Sequence, residues 1–364
     1  MIVIADDITG AAEMAGIAFA RGAEVRLTCG CPVCGCNIAT HPITVIATDT
    51  RSMSETEAVA ETLRIASAIS HQTSPIFKKT DSALRGHVVA ELTALMEVTG
   101  YARAVYLPAN PSKGRIIRGG TYYINGKPIH ETDFSFDPEF PAKTSVLRER
   151  FPDAEEKGIL MPDAESEEDI RNIIAHYNDG QTLFAGAADL FSALPSSQGE
   201  KQEDCPIDSR SHESTDISRA SGLSSTLVLC GSTQSKPLDL GIPIASMPRD
   251  IYDGANDISH WDTSAYEKEH SLILTIPFTH RTGKEVAVHL RNIMARKTKE
   301  LIALHTPHHL IIEGGATAWA TLQTLGWTQF RIERQIAPGV VQMSATNGTL
   351  VTLKPGSYPW GPLL

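Results

Sequence analysis

The front of the chain alternates short apolar runs with longer stretches whose apolar residues recur at helical intervals. Met1 to Ala5 is apolar throughout and predicts a buried parallel strand. Asp6-Asp7-Ile8-Thr9-Gly10 follows. Ala11 to Arg21 then carries Met14, Ile17, Ala18 and Phe19 at helical spacing and stops at Gly22. Asp7 or Thr9 is placed to cap this helix. The same reading predicts strands over 25–28, 43–47, 76–79 and 104–107, with helices over 55–70 and 88–99. After residue 225 the alternation resumes, with strands over 227–230, 271–277 and 310–312 and helices over 284–304 and 318–325. No internal repeat occurs. Strands alternating with helices predict the α/β class with doubly wound, mostly parallel sheets.

A length of 364 residues suits two such domains. The segment 196–225 is rich in Ser, Asp and Glu and poor in apolar residues, and reads as a flexible linker or loop. The expectation is a first domain over 1–195 and a second over 226–364, each with a mostly parallel sheet flanked by helices, and an active site in the cleft between them.

In this architecture ligands bind where strands end. Asp6 and Asp7 sit at the first strand end, where a carboxylate either holds Mg²⁺ through water, accepts a proton from a substrate hydroxyl, or only caps the helix. Lys79-Thr80-Asp81-Ser82-Ala83-Leu84-Arg85-Gly86 combines two cations and an acid. Lys79 and Arg85 are read as a clamp on a substrate carboxylate, against the alternative of a surface ion-pair network. Arg51, after the third strand, is a weaker candidate. Lys113-Gly114-Arg115 reads as a surface basic turn. In the second half, Gly231-Ser232-Thr233 and Gly314-Gly315-Ala316-Thr317 follow strands and suit phosphate, the latter with two glycines between strand and helix. Neither is a P-loop or a dinucleotide-binding fingerprint.

Charge narrows the partners. Lys and Arg total 32 against 43 Asp and Glu, a net charge of −11, which argues against nucleic acid or anionic membrane. No apolar run approaches the roughly 20 residues of a membrane helix, and the N-terminus lacks a basic region, so a cytoplasmic protein with reduced thiols is expected. Four of the six cysteines are Cys29, Cys31, Cys34 and Cys36. Cys31 and Cys34 have half of a zinc spacing but no distant second pair, so surface thiols are preferred and no metal ligand is assigned.

Taken together, these blocks resemble the four-carbon acid sugar kinases, the family also called DUF1537. The resemblance runs through Ala5-Asp6-Asp7-Ile8-Thr9-Gly10-Ala11, Asp49-Thr50-Arg51-Ser52, Lys78 to Gly86, Pro108-Ala109-Asn110-Pro111 with Gly114-Arg115, Gly119-Gly120 and Asp137-Pro138, in the family's order. It continues in shorter matches at Gly231-Ser232, Gly314 to Thr317, Pro338-Gly339-Val340 and Leu353-Lys354-Pro355-Gly356. The chain differs from the family pattern at Arg51-Ser52, Ala83, His87 and Ala316.

The resemblance implies transfer of the γ-phosphoryl of ATP, with Mg²⁺, to a hydroxyl of a threonate- or erythronate-like acid. It implies a sugar-acid pocket of Asp7, Arg51, Lys79, Asp81 and Arg85 with Asp6 beside them, and Asp7 or Asp81 as proton acceptor. It implies a nucleotide pocket of Ser232, Gly314, Gly315, Ala316, Thr317 and Gly356. The partners are then a small sugar acid and ATP, with no nucleic acid or membrane; a homodimer is left open. Two other classes are weighed against the kinase: a sugar-acid or nucleotide-binding protein that has lost turnover, and a metal-dependent lyase or hydrolase using Asp6 and Asp7.

Overall fold

The computed structural model describes residues 1–30, 42–70, 74–137, 139–195, 225–231, 240–281 and 283–356. The expected linker falls outside the described residues except for Ser225, and so do Cys31, Cys34, Cys36 and Ser232.

In the first half the strands are β1 (Ile2–Ala5), β2 (Val25–Cys29), β3 (Ile43–Ala47), β4 (Ile76–Lys79), β5 (Arg103–Leu107), β6 (Arg115–Arg118), β7 (Thr121–Ile124), β8 (Lys127–Pro128), β9 (Ile159–Leu160) and β10 (Thr182–Gly186). Its helices are α1 (Ile8–Ala20), α2 (Glu55–Ile69), α3 (Val88–Thr99), α4 (Leu147–Arg150), α5 (Glu167–Tyr177) and α6 (Ala188–Ala193). The second half holds β11 (Thr226–Cys230), β12 (Ile244–Ser246), β13 (Leu272–Thr275), β14 (His309–Glu313), β15 (Gln329–Ala337), β16 (Val340–Ala345) and β17 (Leu350–Lys354). Its helices are α7 (Arg249–Tyr252), α8 (Ser264–Glu269), α9 (Lys284–Leu304) and α10 (Gly315–Leu325).

Local chemistry explains the elements that frame the site. Asp7 caps α1, accepting from the Gly10 N–H at 2.9 Å. Ser54 and Glu57 form a reciprocal capping box on α2, and Gly100 ends α3 in the left-handed region. Along β4 the side chains alternate between faces. Lys78 turns to α3 and pairs with Glu91 at 2.6 Å, both about 1% exposed, whereas Lys79 turns to the cavity described below.

The two expected parallel sheets are the wings of one sheet of fourteen strands, in the order β12-β13-β11-β14-β17-β16-β15-β2-β3-β1-β4-β10-β5-β9. Both wings are parallel; the seam is not. β15 pairs antiparallel with β2, β16 with β15, and β17 with β16. The largest apolar core cluster spans both wings. Three antiparallel steps make β14 run opposite to β1, so in a flat sheet their carboxyl ends would lie at opposite edges. The six strand-to-strand steps between them, each twisting about 20–25°, accumulate roughly 120–150°. That rotation swings the end of β14 round toward the end of β1. Helix α1 fills the fold so made: a Cβ on Gly16 would come within 2.8 Å of Val341 Cγ2 on β16.

Candidate active site

The loops after β1, β3 and β4 converge on a dense ion-pair cluster. The Arg51 guanidinium grips Asp6 with two bonds, Nε to Oδ2 at 3.0 Å and a terminal nitrogen to Oδ1 at 2.8 Å. It also lies 3.1 Å from Asp7 Oδ1 and 3.7 Å from Asp81 Oδ1. Arg85 grips Asp81 in the same bidentate way, at 2.8 and 3.0 Å, and reaches Asp137 at 3.5 Å. Lys79 donates to the Thr80 carbonyl at 2.9 Å and lies 3.8 Å from Glu13, whose other oxygen takes Lys113 at 2.6 Å.

These contacts set the ionisation of the acids. Burial opposes charge on Asp7, but Arg51, Lys79 and hydrogen bonds from Thr9 (2.5 Å) and Gly10 outweigh it, holding the carboxyl below its ordinary range. Burial likewise opposes charge on Asp81, and Arg51 and Arg85 outweigh it by a wide margin. Asp6, more deeply buried, is pushed up by burial against the pull of Arg51. Asp81 is bonded through both oxygens to Arg85, and one also accepts from the Ala83 N–H at 3.0 Å; Asp7 likewise accepts from Gly10 on one oxygen and from Thr9 on the other. The bidentate contact with Asp81 fixes the direction of the Arg85 guanidinium.

A cavity of about 580 Å³ opens on this cluster. The first half lines it with Asp7, Thr9, Gly10, Glu13, Arg51, Lys79, Asp81 to Ala83, Arg85, Arg115 and, from one turn, Asp133, Phe134, Phe136 and Asp137; the second half contributes Pro355. The Gly314–Gly315 turn abuts the same corner. A Cβ added to Gly315 would lie 2.9 Å from Thr9 Cγ2 and 3.7 Å from Asp7 Oδ2. The sheet thus brings the glycine turn of one wing against the helix-capping aspartate of the other.

The turn itself is shaped for an anion. Gly314 has φ 96°, a left-handed conformation suited to glycine, and α10 starts at Gly315. The first N–H groups of an eleven-residue helix have no intrahelical acceptor and carry its positive end. Ala316 is exposed in this first turn. Thr317 is buried instead and packs on Gly231, where a Cβ would stand 2.0 Å from its hydroxyl oxygen. Thr317 therefore holds two turns together. Gly356 follows β17, and its carbonyl lies 3.5 Å from the Lys354 ammonium, which is ion-paired with Glu313 in the interior.

The fit of a divalent cation can be judged from the acids present. Among the described residues no three His, Cys, Asp or Glu side chains come together to hold one. Asp6, Asp7, Glu13 and Asp81 are each engaged by Arg or Lys. The donor set fits an ion held chiefly by phosphate oxygens, as Mg²⁺ commonly is.

Sequence reasoning overlooked Glu13, Phe134 and Phe136, and read Arg115 as surface. Glu13 had a signal: it is the single charged residue in α1. Phe134 had none, because a turn between a small sheet (β6-β7-β8) and a helix advertises no ligand. The segment 182–186 carries no strand expectation, yet β10 pairs with both β4 and β5 inside the sheet.

Comparison with known proteins gives this arrangement its context. Residues 1–152 match the sugar-binding N-terminal domain model and residues 261–358 the nucleotide-binding C-terminal domain model. A D-threonate kinase of Cupriavidus necator is 25% identical over 93% of this chain and 89% of its own length. The chain belongs to the four-carbon acid sugar kinase family. A second relative, a D-threonate kinase of Salmonella typhimurium, is 31% identical over 54% of this chain, which is about half (53%) of the relative. The fold agrees as well: a Haemophilus influenzae DUF1537 protein of known crystal structure superposes with a TM-score of 0.69, covering 99% of this chain and 97% of its own at 18% identity. Within the family, the first model ends soon after the cavity wall, and the second includes the turn and α10.

Proposed function

We infer that the chain is an ATP-dependent kinase that phosphorylates a hydroxyl of a four-carbon sugar acid of the threonate or erythronate type. The observation that carries this reading is the approach of Gly315 to Asp7 and Thr9 at the mouth of a polar, sugar-sized cavity. It meets the geometric condition for direct transfer, in which phosphate on the positive end of α10 stands next to an acceptor hydroxyl in the cavity.

Phosphoryl transfer runs through a loose transition state, so positioning and charge neutralisation carry most of the rate. Asp7 is ionised and lies nearest the turn. It orients the acceptor hydroxyl and takes its proton late, when the hydroxyl has become acidic. Arg51, 3.1 Å from Asp7, holds that carboxylate in place beside the acceptor. Mg²⁺ bound with the nucleotide supplies further neutralisation of the phosphates. Thr9 fixes Asp7 through its hydroxyl. Asp6 fixes Arg51 from behind. The free, buried thiols of Cys29 and Cys230 suit a reducing compartment such as the cytoplasm.

The test is ADP release against a panel of four-carbon sugar acids of both hands, with ATP and Mg²⁺. Turnover of at least one acid, dependent on ATP, is expected. An acid that raises the melting temperature without ADP release would instead mark a binding protein, and turnover without ATP would mark a lyase or hydrolase.

A further inference from the structure

The cavity is polar but not basic. Its walls carry five carboxylates (Asp7, Glu13, Asp81, Asp133 and Asp137) against four cations (Arg51, Lys79, Arg85 and Arg115). An acid entering such a pocket gains nothing from the net charge; it needs one cation whose charge is still available.

Three of the four are already matched. Arg51 holds Asp6 and touches Asp7. Arg85 holds Asp81 and reaches Asp137. Lys79 stands between Asp7 and Glu13, and its charge helps hold down both of their pKa values. Arg115 differs. At the start of β6 it donates to the Ser82 hydroxyl, and its guanidinium lies 5.8 Å from the centre of the Phe134 ring. Arg85 approaches the same ring at 5.8 Å. Among the described residues no carboxylate lies within the 4.0 Å of an ion pair to Arg115.

We propose that Arg115 is the anchor for the substrate's carboxylate, with Phe134 and Ser82 holding its guanidinium in place. A guanidinium braced by an aromatic ring loses little freedom when it takes a carboxylate, and its fork matches the two oxygens. The surrounding carboxylates then accept hydrogen bonds from the ligand's hydroxyls and repel a second negative charge. The site is thereby selective for a small monocarboxylate rich in hydroxyls, over a dicarboxylate or a sugar phosphate. Lys79 and Arg85, expected from sequence to clamp the acid, instead complete the acidic cluster that faces the hydroxyls. This assignment rests on the sugar-acid kinase reading for its substrate class.

The test compares wild type, Arg115→Met and Arg115→Lys by calorimetric titration with a four-carbon sugar acid, and by kinetics with that acid, the matching four-carbon polyol and ATP. A lost charge-assisted pair should weaken acid binding by about ten- to hundredfold in Arg115→Met. KM for ATP should be unchanged, the preference for acid over polyol should collapse, and Arg115→Lys should recover part of both. Thermal melts matching wild type establish that the variants fold. If Arg115→Met binds the acid as wild type does, or keeps the acid-over-polyol preference, the anchor is elsewhere and the proposal falls. If wild type binds the acid, Arg115→Met does not, and neither consumes ATP, the anchor stands and the kinase reading fails.

Discussion

Gly315→Ala tests the meeting of the two wings. The added Cβ would stand 2.9 Å from Thr9 Cγ2, where carbon atoms prefer about 3.5–4.0 Å. Relief requires either an opening of roughly 0.6–1.1 Å between turn and pocket or a rotation of Thr9 that breaks its 2.5 Å bond to Asp7. Both disturb the group that orients the acceptor. Where a misplacement of about 1 Å costs about a hundredfold in rate, kcat should drop by roughly ten- to a hundredfold. The melting temperature should hardly change, because alanine is a better residue than glycine in the first turn of a helix. The double variant with Thr9→Ser supplies the control. It removes Cγ2 and keeps the hydroxyl on Asp7, and the next contacts of the new Cβ, Thr9 Oγ1 at 3.5 Å and Asp7 Oδ2 at 3.7 Å, are ordinary. Steady-state ADP release at saturating acid and ATP should therefore recover in the pair. Full activity in Gly315→Ala alone, or a loss that Thr9→Ser does not relieve, would refute the apposition of turn and aspartate as the working geometry.

Three further outcomes are expected. Asp81→Asn removes a carboxylate that faces the ligand's hydroxyls and loosens the aim of Arg85, so KM for the acid should rise well above its wild-type value while KM for ATP and the pH profile of kcat stay put; a shifted pH profile would assign Asp81 to the proton-transfer step. Glu91→Gln strands the Lys78 ammonium in the interior, where Glu91 also accepts from Thr50 at 2.9 Å, and urea unfolding should register a loss of about 3–5 kcal/mol; a loss under about 1 kcal/mol would show the pair to be relieved some other way. Burial raises the Asp49 carboxyl to about 6 from an ordinary 3.8. The folded state then binds more protons than the unfolded one between those values, so stability falls as pH rises through that window. Asp49→Asn keeps the acceptor for Ser52, suits the left-handed backbone at this position (φ 57°), and should flatten that slope, adding up to roughly 3 kcal/mol at pH 7. An unchanged slope in pH-dependent unfolding would rule out Asp49 as its source.

The convergence of the candidate residues was legible where strand ends leave a local trace. Asp6, Asp7, Lys79, Asp81 and Arg85 follow apolar runs, and residues at strand ends of an α/β sheet share an edge whatever the loop details. Arg51 looked weak for want of a neighbour in sequence, and stands at the centre because Asp6, Asp7 and Asp81 surround it. Arg115 looked like surface for the opposite reason: its neighbours Lys113 and Gly114 resemble any exposed turn, and its partners Ser82 and Phe134 come from elsewhere in the chain.

Sequence by itself determined the elements, because apolar periodicity, Asp7 and Ser54 caps and glycine stops act over a few residues. It also determined the kind of chemistry, because motifs keep their spacing along the chain. Tertiary structure alone decided that the two wings form one sheet. That depends on β2 of one wing pairing with β15 of the other, roughly 300 residues apart, and backbone hydrogen bonds carry no address readable from side chains. Tertiary structure decided the state of each charge as well, since whether an arginine is spent or available depends on carboxylates brought to it by other strands.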